Sequence, residues 1–181
     1  MAASPTAMWA DTLARVDALG TSLEQHVCHA AESGDVPVLR RLLRAAGAEA
    51  AAAAAAEGST AAERARAAGS RAAADVASAG GWRPVLWASK GGRVGALDEL
   101  AAAGAALDAA NDDGSNCLHV AAVCDRVEIA AWFARAARAA AAAARRDAHG
   151  RRTAAAHSGT PRALPALDAV TPSGSTCLLY T

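Results

Sequence analysis

The chain has 181 residues, 18 of them basic and 18 acidic, so its formal net charge is zero. That balance excludes whole-chain electrostatic attraction to nucleic acid or to an acidic membrane. Hydrophobic residues reach 53%, yet 57 of the 181 residues are alanine and only six are aromatic. Alanine buries little area, which excludes a large single core and favours a layered stack of small helices.

In chain order, residues 4–20 predict a helix. Pro5 stands at its start, Trp9, Leu13 and Val16 follow at i, i+4 and i+7, and Gly20 ends it. Its apolar stripe is expected to cap the N-terminal face of the stack. It lacks the basic face of a membrane-surface helix. Residues 21–48 form a first unit, "CHAAESGDVPVLRRLLRAAGA", with Pro37 in the first turn of a second helix.

Residues 49–73 are an alanine-rich insertion with no large apolar side chain between Gly47 and Val76. Alanine favours helix, but nothing here predicts firm docking. A mobile, low-complexity excursion is expected, with a helix that folds on a partner as the alternative.

Next comes a repeat. "GWRPVLWAS" (81–89) aligns with "GSNCLHVAA" (114–122), and the same offset pairs Arg93-Val94 with Arg126-Val127. Residues 74–107 and 108–144 are therefore two further units. Asp112-Asp113-Gly114 is a turn signal. Leu118, Ala121 and Ala122 make one buried stripe, and Val127, Ile129, Trp132 and Phe133 make the next. Gly104 is a helix stop. Residues 145–181 read as degenerate or truncated units. "GSTCLLY" (174–180) nearly repeats "GSNCLHV", Pro161, Pro165 and Pro172 oppose a regular helix, and the chain ends a few residues into another copy. Either this end folds back as a cap, or the sequence is a piece of a longer array.

On these residues the chain resembles the ankyrin repeat family, whose unit is a β-turn finger followed by two antiparallel helices over about 33 residues. The best copy, "NDDGSNCLHVAAVCDRVEIAAWF", matches the family pattern at Gly114, Leu118, His119, Ala121, Ala122, Glu128 and Ile129. Pro84 matches the family's proline in the copy before. The family's threonine is replaced by Arg83, Asn116 and Arg152. The resemblance spans residues 21–47 and 74–181. It implies an all-α fold: an ankyrin-type helix-turn-helix solenoid with short β-turn fingers and an N-terminal capping helix. It also implies that His119 is structural, its imidazole bonding backbone in the neighbouring turn.

No constellation for catalysis, cofactor or metal is present. Phosphate loops and nucleophile elbows are absent. Cys117 and His119, two apart on one helix, point about 200° apart. His26, Cys28 and His29 lack the second pair of ligands a closed zinc site needs. Cys28, Cys117, Cys124 and Cys177 form no CxxC pair, so reduced thiols in the cytoplasm or nucleus are expected. Six arginines in residues 135–152 read as a solvated helix end and loop, with an acidic partner or a nucleic-acid backbone as the alternative; no aromatic platform for bases stands beside them, so nucleic acid is not the expected partner.

The resemblance implies a monomeric, non-enzymatic module that binds an unidentified protein on a concave face of fingers and first helices. Its exposed variable positions map to Trp82, Lys90 and Gly91, to Asp112, Asp113, Ser115, Val123 and Cys124, and to His149 and Arg151. Trp82 leads this set, whereas Trp87, Trp132 and Phe133 are expected in the core. The alternative is a regulatory or targeting segment of a larger enzyme or scaffold.

Overall fold

Helix α1 (Leu23–Ser33) buries Val27, Cys28, Ala30 and Ala31, the stripe that the helical period places on one face. Gly34 ends it in the left-handed region, φ +79°. One residue on, the Asp35 carboxylate accepts the Val38 amide at 3.1 Å and starts α2 (Val36–Ala53). The computed structural model describes residues 23–55 and 58–149, with side chains to residue 142. The expected capping helix at 4–20 and residues 150–181 lie outside them.

The described residues are helical without a strand. After α1 and α2 come α3 (Ser59–Ala74), a short 3-10 turn (Ala79–Gly81), α4 (Pro84–Gly91), α5 (Val94–Ala102), α6 (Cys117–Val123) and α7 (Val127–His149). Helices α1 and α2, α4 and α5, and α6 and α7 pair as hairpins. The first helices α1, α4 and α6 lie side by side, as do the second helices α2, α5 and α7. Between the rows sit Val27, Leu39, Leu86, Leu97, Leu100, Leu107 and Ile129, all fully buried. Trp132 and Phe133 pack edge to face at 4.9 Å, and the Trp132 indole donates to Asp98 across hairpins at 2.7 Å.

The hairpins share details in a fixed register. Gly34, Gly92 (φ +69°) and Asp125 (φ +53°) end the three first helices in the left-handed region. The step from Gly92 to Asp125 equals the step from Gly81 to Gly114 in the aligned turns, and the step from Gly34 to Gly92 is longer by the insertion. The residue after each left-handed stop in the second and third hairpins reaches back. Arg93 Nε donates to the Glu32 carbonyl at 3.1 Å, and Arg126 Nε donates to the Lys90 carbonyl at 3.0 Å.

The two inter-hairpin turns also match. Ser78 N donates to Trp82 O at 2.7 Å and Gly81 N to Ser78 O at 3.1 Å. One unit later, Asn111 N donates to Ser115 O at 3.1 Å and Gly114 N to Asn111 O at 2.9 Å.

The insertion contains a helix that packs on its neighbour. Helix α2 continues to Ala53, beyond the expected end of the first unit at 48, and α3 lies along it. The reason is small side chains, not large ones. A Cβ on Gly47 would collide with Ser70 Oγ and stand 2.8 Å from Arg66 O. One on Gly69 would stand 2.6 Å from Ala46 O. With no side chain at the crossing, the backbones approach closely enough for Ser70 Oγ to donate to Leu43 O at 2.9 Å. Ala73 and Ala74 at the end of α3 join the main core.

Helix α2 overruns because Ala46 occupies the register position where Gly104 (φ +85°) stops α5. Ala137 occupies it in the third hairpin, and α7 continues to His149, past the expected boundary at 144. Alanine extends a helix where glycine would end it.

Candidate functional site

The turns and first helices bring together part of the residue set picked out in the sequence. Trp82, half-buried, follows the first turn, where its carbonyl accepts both the amide and the hydroxyl of Ser78, at 2.7 and 2.9 Å. Its ring lies 4.9 Å from that of Trp87, tilted by 42°. The Trp87 indole donates to Ser78 Oγ at 3.2 Å, so Ser78 anchors both tryptophans. Lys90 sits one turn further along α4. Its ammonium lies 4.5 Å from the Trp87 ring centroid and 2.8 Å from Glu32 Oε1 on α1.

The result is a continuous polar–aromatic surface of Glu32, Lys90, Trp87 and Trp82. The ion pair itself contributes little, since both of its side chains are partly exposed.

Trp87 is expected in the core; it packs against the core but is only half-buried, with its ring also under the Lys90 ammonium. Trp132 and Phe133 are buried as expected. Glu32 is absent from the sequence-based set. The available signal was register, because the step from Glu32 to Lys90 equals the step from Gly34 to Gly92.

The second turn stands beside the first. Asp112 N donates to Gly80 O at 3.0 Å, and a Cβ on Gly81 would meet the Asp112 backbone amide at 2.9 Å. This close approach, with both Gly80 and Gly81 at positive φ, explains the glycine pair. Buried Asn111 organises the tip. Its Oδ1 accepts Ser115 N at 2.8 Å, and its Nδ2 reaches Asp113 Oδ2 at 3.4 Å. Asp112 and Asp113 are exposed and Ser115 is half-buried.

Val123 (62% exposed) and half-buried Cys124 lie at the other end of α6, away from the turn. His149 closes α7 with its side chain outside the described set, and Arg151 lies beyond the described residues.

The opening of α6 accounts for His119. Its imidazole is 1% exposed, and Nδ1 lies 2.9 Å from Asn116 Oδ1. That amide oxygen accepts the Leu118 and His119 amides at 3.0 Å each. The Asn116 amide is 3.5 Å from the same ring nitrogen, a longer contact. Nε2 is buried without a partner. Asn116 thus supplies the cap.

Cys117 is fully buried, and desolvation raises its thiol to about 12, with Ser89 pulling the other way. Burial also raises Cys28, opposed by Ser78. Neither is a ready thiolate nucleophile at neutral pH. Among the described residues, no group of three His, Cys, Asp or Glu side chains could hold a metal ion. No helix there is long and apolar enough to cross a membrane. No family model matches the chain, and no curated protein matches it.

Proposed function

We propose that the chain is an ankyrin-type solenoid that binds a partner protein on the surface formed by its turns and first helices. The observation that carries the reading is the pair of matched turns. They repeat the same hydrogen bonds one unit apart and are joined to one another through Asp112 N and Gly80 O. Side-by-side hairpins joined in this way form the elements of a repeat stack. The resemblance in "GSNCLHVAA" supports the same fold.

The site follows from where the scarce large side chains stand. Trp82 and Trp87 pack against the edge of the core and are only partly buried, so part of each ring is left to solvent. The Trp87 indole is held by Ser78 Oγ and the Trp82 ring packs against it; aromatic groups held in this way lose little entropy on binding and serve well as interface anchors.

The test is affinity capture with the full chain, comparing wild type, Trp82→Ala and Arg135→Ala. Arg135 is exposed on α7, in the row of second helices. Partners retained by wild type and Arg135→Ala but lost by Trp82→Ala support the reading. Loss with Arg135→Ala alone would place recognition on the other row of helices and overturn it.

A further inference from the structure

We propose that the partner supplies an arginine side chain, which lies against Trp82 and pairs with Asp112 and Asp113. The inference rests on the binding-surface reading above and specifies the chemistry of what docks there. Trp87 carries the complete arrangement within the chain itself. The Lys90 ammonium stands 4.5 Å from its ring centroid, and the Glu32 carboxylate holds that ammonium at 2.8 Å. An aromatic face, a cation and a carboxylate are therefore assembled once internally.

Beside it the first and third parts recur without the second. The Trp82 ring folds back over Gly80, where an added Cβ would stand 3.4 Å from Cδ1. The carbonyl of Gly80 holds the Asp112 amide at 3.0 Å, and the Asp112 carboxylate lies against Gly81, the residue preceding Trp82. Asp113 follows on the same exposed tip. Among the described residues, neither carboxylate has an ion-pair partner and no cation lies over Trp82.

The charge that complements this surface is positive. A planar guanidinium matches it better than an ammonium, because one group stacks on indole and forks to carboxylate oxygens at once. Hydrogen bonds at Asn111 and Gly80 hold the tip, so the backbone that carries both carboxylates is fixed before a partner arrives.

The probes are two short Gly/Ser peptides, identical except for one central arginine or its uncharged isostere citrulline. They are titrated into the full chain and followed by NMR. The Trp82 indole N–H signal is assigned by its loss in Trp82→Phe. The arginine peptide should shift that signal and the Asp112 and Asp113 amides in a saturable way. Its affinity should fall by about tenfold with citrulline, and by a similar factor in the Asp112→Asn/Asp113→Asn variant. That variant keeps the backbone bonds of the turn, and an unchanged circular dichroism spectrum verifies its fold. Equal response to both peptides, no saturable shift at Trp82, or undiminished affinity in the double variant would overturn the proposal.

The two levels are separable. A protein captured through Trp82 that binds the double variant as tightly as wild type defeats the arginine assignment and leaves the surface standing. Capture indifferent to Trp82 defeats the surface itself.

Discussion

Gly69→Ala tests the least anticipated element of the fold, the docking of α3 on α2. In an exposed helix interior, replacing glycine by alanine stabilises by up to about 1 kcal/mol. Gly69 sits mid-helix in α3, so an undocked α3 would show that gain. Docked, the new Cβ would stand 2.6 Å from Ala46 O and 2.7 Å from Ala50 Cβ. One is backbone and the other is fixed to it, so neither can swing aside. The helices must separate, and overpacking of this kind costs about 1–3 kcal/mol. Set against the propensity gain, the expected net loss is about 1–2 kcal/mol. The control is Gly95→Ala in α5, whose Cβ would meet only a side-chain methyl, Val36 Cγ2, at 3.1 Å. It should stay within about 0.5 kcal/mol of wild type or gain slightly. Urea unfolding followed by circular dichroism measures both. Hydrogen exchange should show α3 losing protection first in Gly69→Ala. If the two variants are stabilised alike, α3 does not lie against α2, and the close-crossing account is wrong.

Asp125→Gly should stabilise by up to about 1 kcal/mol, because Asp125 takes the left-handed stop that Gly34 and Gly92 take in the other hairpins. A lowered unfolding midpoint would show that the aspartate side chain matters there. His119→Ala should cost about 1–3 kcal/mol through its lost hydrogen bond with Asn116 and the space left in the core. Partner binding by the folded protein should be unchanged; abolished binding at unchanged stability would move His119 to the recognition surface. Cys117 gives a pH prediction. Its folded thiol is raised to about 12 from an ordinary 9.0, so its neutral form is favoured on folding. The stabilisation is complete below about pH 9 and is lost as pH rises toward 12, by up to about 1.4 kcal/mol per pH unit. Cys117→Ala should flatten that loss in a pH series of urea midpoints, and an equally steep loss without the thiol would refute its role.

How much of this was legible follows from particular residues. The hairpins were readable because their signals are local. Pro37 in a first helical turn, Gly104 at a helix end, and the stripe of Leu118 and Ala121 each act within a few residues of themselves. The constant offset between units then tied the turns together. Helix α3 was unreadable by the same route, because firm docking was equated with large side chains. Gly47 and Gly69 lie on different helices, and their meeting at a crossing is a tertiary event that neither signals alone. The proposed binding surface was half legible. Trp82, Lys90 and Asp112 are placed by register. Hydrophobicity alone assigns Trp87 to the core, although Lys90, three residues on, marks its face as solvent-accessible. Glu32 was hidden by the insertion, which breaks the register between the first hairpin and the second.

The insertion and the aromatic surface are two answers to one shortage. Alanine buries a single methyl, so helices built from it gain stability only by approaching closely. The α2–α3 crossing does this by removing even that methyl at Gly47 and Gly69. Large side chains can then be few. The described residues contain two aromatic pairs, and they are used differently. Trp132 and Phe133 seal the core between second helices, with the indole tied to Asp98. Trp82 and Trp87 stand on the turns and first helices, fixed through Ser78 and left half-exposed. The latter pair packs against the edge of the core and leaves part of each ring uncovered, beside carboxylates and a lysine. Full burial of both rings would add stability in a chain short of bulk; the recognition surface proposed above is a use for the part left uncovered.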